Sequence, residues 1–148
     1  MESKADFYTG VGDDADWIGS VMIFGEPWHV PLEILIQVNK STYEEAALDF
    51  IRFSNGYIPD RGEHWPHPWS DSRMTDYVYM FDHRQERVVM FQSGTSILVD
   101  PVKIVQGFAL EESIIYYGTP SFPLMRPDTK IQTEEVIKNN GYITSAPL

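Results

Sequence analysis

Tyr77-Val-Tyr-Met-Phe-Asp-His-Arg-Gln-Glu-Arg-Val-Val-Met-Phe91 reads as strand, turn, strand. The aromatic and β-branched runs Tyr77–Phe81 and Arg87–Phe91 suit a pleated, half-buried surface, and the polar Asp82-His-Arg-Gln-Glu86 between them is a hairpin connection. Arg84 and Arg87 flank that turn with Asp82 and Glu86 and are expected as solvated cross-strand charge pairs. Downstream, Ser93-Gly94-Thr95 turns the chain and Ile97-Leu-Val99 adds a short strand before Asp100-Pro101.

Working outward toward the N-terminus, a second hairpin is expected. Asp6-Phe-Tyr-Thr9 is a short strand that runs into Gly10-Val-Gly12-Asp-Asp-Ala-Asp16, where glycines permit a tight turn and the acids end regular structure. Trp17–Phe24 is its partner, with Gly19 marking a bulge or a close backbone approach. Gly25–Pro31 is a proline-punctuated connection. Leu32–Val38 is apolar nearly throughout and reads equally as buried strand or helix, because periodicity cannot arbitrate so short a run.

One helix is clear. Ser41-Thr-Tyr-Glu44 fits a capping box, and Tyr43, Ala46, Ala47, Phe50 and Ile51 recur at the spacing of one helical face. The stripe predicts a helix over about 42–54, stopped where Asn55 or Gly56 takes a left-handed cap. Val102–Ile115 is ambiguous: Glu111-Glu112 suit a helix or a solvated turn, and Ser113–Tyr117 resembles a strand. Gly118–Pro127, with Pro120, Pro123 and Pro127, is an irregular loop, and a short C-terminal helix starts near Thr129 or Thr133 and ends at Asn139-Asn140-Gly141. The expected fold is α+β, one domain over residues 1–148: a mainly antiparallel sheet of hairpins packed against the 42–54 helix and the C-terminal helix.

Charge bounds the function. The formal net charge is −11, from 11 Lys+Arg against 22 Asp+Glu. Such a surface repels a phosphate backbone, and no basic cluster offsets it, so nucleic acid is not an expected partner. The acidity serves solubility, or else forms a face for a basic partner, in the manner of a nucleic-acid mimic. There is no Cys, which excludes disulfides, thiolate metal sites and a Cys nucleophile. Without an apolar leader or spanning stretch, the expectation is a cytoplasmic protein with no membrane partner.

The most site-like stretch precedes the Tyr77 strand. Arg61–Asp82 carries His64, Trp65, Pro66, His67, Pro68, Trp69, Asp71, Ser72, Arg73, Thr75, Asp76 and Tyr77. Trp65 and Trp69 with Arg73 can sandwich a flat, nucleotide-like ligand, while Asp71, Ser72, Thr75, Asp76 and Tyr77 orient it. Read structurally, the same Trp–Pro contacts pin a loop onto the sheet and Arg73 pairs with an Asp. His64 and His67 share a ridge if Pro66 and Pro68 impose polyproline II, and with Asp71 or Glu63 they would begin a metal site. No second His or Cys cluster completes that set. Ser70 and Ser72 sit in no Gly-x-Ser-x-Gly elbow, Gly10-Val-Gly12 lacks the third glycine and helix of a dinucleotide turn, and the acids at 13, 14 and 16 miss the calcium-loop pattern.

Ala5-Asp-Phe-Tyr-Thr-Gly-Val-Gly12, Ala15-Asp-Trp-Ile-Gly-Ser20 and Trp65-Pro-His-Pro-Trp-Ser-Asp-Ser-Arg-Met-Thr-Asp-Tyr77 resemble segments of a set of small uncharacterised proteins encoded by bacteriophages and some bacteria. Those proteins share Ala-Asp-Phe-Tyr-x-Gly-x-Gly at the N-terminus and Trp-Pro-x-Pro-Trp-x-Asp-Ser leading to Thr-Asp-Tyr, in patches over the first 80 or so residues. The resemblance implies a phage accessory role and groups Trp65, Pro66, Pro68, Trp69, Asp71, Ser72, Thr75, Asp76 and Tyr77 as one unit. It supplies no activity, cofactor or catalytic residue.

Taken together, these readings predict a non-enzymatic binding protein without a cofactor. It would be a phage-encoded accessory factor acting in a host cytoplasm, sequestering a small nucleotide-like host ligand or inhibiting a host protein. The alternatives are a metal-dependent hydrolase using His64 and His67, and a structural virion component. Exposed Trp and Tyr are compatible with a homodimer.

Overall fold

The computed structural model describes residues 3–11, 16–58, 75–92 and 97–115. Strands β1 (Ala5–Thr9) and β2 (Asp16–Val21) form the expected N-terminal hairpin, and β3 (Tyr77–Asp82) and β4 (Arg87–Gln92) form the second. Both are antiparallel. They meet through a parallel pairing of β1 with β3, in register from Ala5 opposite Tyr77 to Thr9 opposite Phe81. A parallel pair needs a crossover. Here it is supplied by α1 (Leu32–Leu35) and α2 (Lys40–Phe53), which lie between β2 and β3 in the chain. Two-residue strands β5 (Leu98–Val99) and β6 (Ile114–Ile115) extend the sheet beyond β4, separated by α3 (Pro101–Val105) and α4 (Leu110–Ser113). The result is an α+β fold with strand order β2-β1-β3-β4-β5-β6.

The alternation along β3 sorts the core into two faces. Tyr77, Tyr79 and Phe81 join Phe7 and the helix residues Tyr43, Ala47, Phe50 and Ile51, while Val78 and Met80 join Tyr8, Val89, Phe91 and Leu98 on the other side. On the helix side Phe7 stacks on Tyr79 with ring centroids 5.1 Å apart and meets Phe50 edge-on at 6.1 Å. Such aromatic pairs contribute about 0.5–1.5 kcal/mol beyond their buried area. The stripe read from the sequence is therefore the face that seats α2 on the sheet.

Two glycines let α2 and the chain after it lie close to β2. A Cβ on Gly19 would fall 2.6 Å from Ile51 Cδ1 and 2.8 Å from the Tyr57 carbonyl oxygen. One on Gly56 would fall 2.1 Å from the Ser20 carbonyl oxygen. Because both are bare, Ser20 and Tyr57 exchange two backbone hydrogen bonds of 2.9 Å, which pair part of the outer edge of β2. The register of β1 with β2 slips between Phe7 and Tyr8, so Ile18 is the extra residue of a bulge beside Gly19.

Several expectations need correction. The cap of α2 is Asn39, whose side chain accepts from the backbone N–H groups of Ser41 and Thr42 at 2.8 and 3.2 Å. Ser41 is already helical; the extended backbone of Asn39 makes it the residue that can fold back onto the first turn. At the far end Asn55 takes the left-handed conformation with φ 59°, as expected. Leu32–Val38 resolves as one helical turn with Ile34 and Leu35 buried and Ile36 and Val38 exposed. Glu111 and Glu112 fall in α4, and Ile114–Ile115 is the strand after it. Arg87 does not pair across the hairpin turn: its Nη2 donates to Asp100 Oδ2 at 2.6 Å, and Asp100 also caps α3 by accepting from Val102 N. Asp82 is buried and instead accepts from the backbone N–H of Arg84 at 2.9 Å. The Ser93–Thr95 turn, the 118–127 loop and the C-terminal helix lie outside the described residues.

Candidate functional site

Of the residues singled out in the sequence, His64, Trp65, His67, Trp69, Asp71, Ser72 and Arg73 lie outside the described residues. Thr75, Asp76 and Tyr77 are described, and they sit where the chain joins β3. Thr75 and Tyr77 are buried. Asp76 faces solvent but is engaged: its Oδ2 accepts from Lys4 N at 2.9 Å, and the N–H groups of Asp76 and Tyr77 both donate to the Lys4 carbonyl. These contacts set the register of β3 beside β1.

Tyr77 also faces a polar corner that sequence reasoning took for a plain connection. Glu26 is buried, accepts from Ser3 Oγ, and has His29 Nδ1 2.7 Å from its Oε1. An ionised carboxylate only accepts, so that imidazole nitrogen donates. Burial raises the Glu26 pKa, but the hydrogen bonds from Ser3 and His29 outweigh it and hold the carboxyl below its ordinary value. Burial, followed by the charges of Glu26 and Asp76, pushes the Tyr77 phenol up. Next to it Tyr79 Oη donates to the Gly25 carbonyl at 2.6 Å, and its burial likewise raises its pKa. Gly25 N in turn donates to the Ser3 carbonyl at 2.9 Å.

This network fixes the 24–31 loop tightly enough to hold Phe24 at φ 63°, a conformation that a bulky side chain adopts only when its surroundings impose it. The loop presents Trp28, which is 59% exposed, and delivers the chain through Pro31 into α1. The corner is thus a device for positioning α1 and an outward-facing indole. Its signal in the sequence was Glu26 and His29 at a turn spacing of three.

Beyond Pro31 opens a groove of about 500 Å³ between the two helices. Pro31, Glu33 and Gln37 line the α1 side; Thr42, Glu45, Ala46, Asp49, Phe50 and Phe53 line α2. The α2 positions recur at helical spacing and form a second face about a quarter turn from the buried stripe. Phe50 belongs to both faces and forms the apolar floor, while Phe53 stands 83% exposed at one end. Leu32, Ile36 and Val38, alternating in sequence with groove residues, are also more than half exposed. The lining carries three carboxylates and no Lys or Arg.

Among the described residues, no three or more His, Asp or Glu side chains are placed to hold a metal ion, and no helix is long and apolar enough to cross a membrane. No family model, curated protein or solved structure matches the chain.

Proposed function

We propose that this chain is a non-enzymatic binding protein that engages a partner protein through the α1–α2 face. A phage accessory factor that blocks a host protein is the specific form that the sequence resemblance implies. One observation carries the reading: Trp28, Leu32, Ile36, Val38 and Phe53, all on or beside the two helices, are each more than half exposed. Single exposed apolar residues are ordinary, but here Phe53 lines the groove while Trp28, Leu32, Ile36 and Val38 lie on the short segment that also supplies its Pro31, Glu33 and Gln37 side, a concentration that suits an interaction surface. A rigid aromatic anchor at Trp28 and a second at Phe53 suit a binding hot spot.

Of the two binding modes, a small ligand or a partner protein, this surface favours the second. The groove is open and shallow in polar donors, whereas small-ligand sites are enclosed and carry convergent polar groups. Enzymatic readings draw less support, because the protonation-shifted groups Glu26, Tyr43, Tyr77 and Tyr79 are accounted for by burial and by bonds that hold the fold together. Affinity capture from a bacterial lysate, run in parallel with wild type and Phe53→Ser, tests the proposal. The expected result is a protein retained by wild type and lost from the variant; retention indifferent to Phe53, or no retained protein, would overturn it.

A further inference from the structure

We propose that the α1–α2 groove takes a cationic amphipathic helix of the partner protein, apolar residues against Phe50 and Phe53 and lysines or arginines against Glu33, Glu45 and Asp49. The inference rests on the binding reading above and adds the chemistry of the occupant.

Charge complementarity selects that chemistry. The groove offers three carboxylates around an apolar floor, within a chain of net charge −11, so an acidic segment would meet like charge at Glu33, Glu45 and Asp49. Among the described residues, neither the Glu33 nor the Glu45 side chain has a hydrogen bond or ion pair. Asp49 has only Arg52, at 3.4 Å between two side chains that are each more than half exposed, and so weakly held that an incoming cation can replace it. Length selects the helical form. From Thr42 to Phe53 the groove face of α2 runs about 16 Å at 1.5 Å per residue, which matches three turns of a helix laid alongside.

Anisotropy of a fluorescein-labelled synthetic helix of repeating Leu-Lys-Lys-Leu, titrated with the full chain, tests this. The variants are Glu45→Gln, Phe53→Ser and, as a remote control of equal charge change, Glu86→Gln, each checked for an unchanged melting curve. Glu45→Gln should weaken binding about threefold and Phe53→Ser about tenfold, with Glu86→Gln without effect. A Leu-Glu-Glu-Leu helix should not bind. Affinity for the cationic helix that ignores Glu45 and Phe53 reports general acidity and overturns the proposal, as does a failure of both helices to bind. If both bind and Phe53→Ser abolishes both, the charge assignment fails while the binding reading stands. If sedimentation shows a dimer that Phe53→Ser dissociates, the occupant is a second copy and the cationic helix is wrong.

Discussion

Phe50 and Phe53 are one helical turn apart on α2, and the account requires that they do opposite things. Phe50 is 8% exposed against Phe7, and Phe53 is 83% exposed. Taking about 150 Å² for a fully buried ring and about 25 cal/mol per Å², full burial stabilises by nearly 4 kcal/mol. Scaled by exposure, Phe50→Ala should cost about 3.5 kcal/mol, in line with measured core truncations, and Phe53→Ala about 0.6 kcal/mol. Helix propensity cannot produce the contrast, since the same exchange is made in the same helix. Urea unfolding followed by far-UV circular dichroism gives both numbers from one fitting scheme, provided the slopes agree. Losses of similar size, or a loss above about 2 kcal/mol for Phe53→Ala, would show that Phe53 is committed to the fold and unavailable to a partner.

Gly56→Ala drives a methyl into the Ser20 carbonyl. Giving up the two Ser20–Tyr57 hydrogen bonds costs about 2 kcal/mol, partly offset by about 0.4–1 kcal/mol of reduced freedom in the unfolded chain. A melting temperature about 3–6 °C lower should result, and an unchanged or higher one would contradict the close approach. Glu26 supplies a pH dependence. Its folded carboxyl lies below the ordinary value of 4.5, so its stabilisation is present above that pH and disappears as pH falls through the lower folded value. Melting curves between pH 5 and 3 should therefore fall less steeply for Glu26→Gln than for wild type; parallel curves would show that the Ser3–Glu26–His29 network does not form.

The two hairpins and α2 were legible in the sequence because each is decided by local pattern. Aromatic and β-branched runs around a polar turn specify β3 and β4, and the Tyr43–Ile51 stripe specifies which face of α2 is buried. Pairing between hairpins is not local. Nothing in Ala5–Thr9 distinguishes a parallel neighbour from an antiparallel one; that choice is made by the crossover and by Asp76 holding Lys4. The cap was misplaced by two residues because Asn39, Ser41 and Thr42 are all good capping types, and only the backbone angle at Asn39 separates them. Arg87 reached past its own turn to Asp100, a partner brought near only by β5.

The Trp-rich stretch over residues 64–73 lies outside the described residues, and the surface proposed to meet a partner is built on Trp28 and Phe53. Phe53 did leave a trace: it is a large apolar residue flanking the stripe on a face shared with Glu45 and Asp49. Sequence alone could not show that the neighbouring helix is one short turn, which leaves that face open as a groove. Trp28 gave no such trace, because its exposure depends on the Glu26 and Tyr79 contacts that fix its loop.

The most direct test of a partner-binding α1–α2 face is photo-crosslinking in cells with a benzophenone amino acid placed at position 53, compared with the same group at the exposed Phe108, which follows α3 and does not line the groove. The account predicts a crosslinked product between the chain and one other protein from position 53 and none from position 108. Equal products from both positions, or none from position 53, would contradict it.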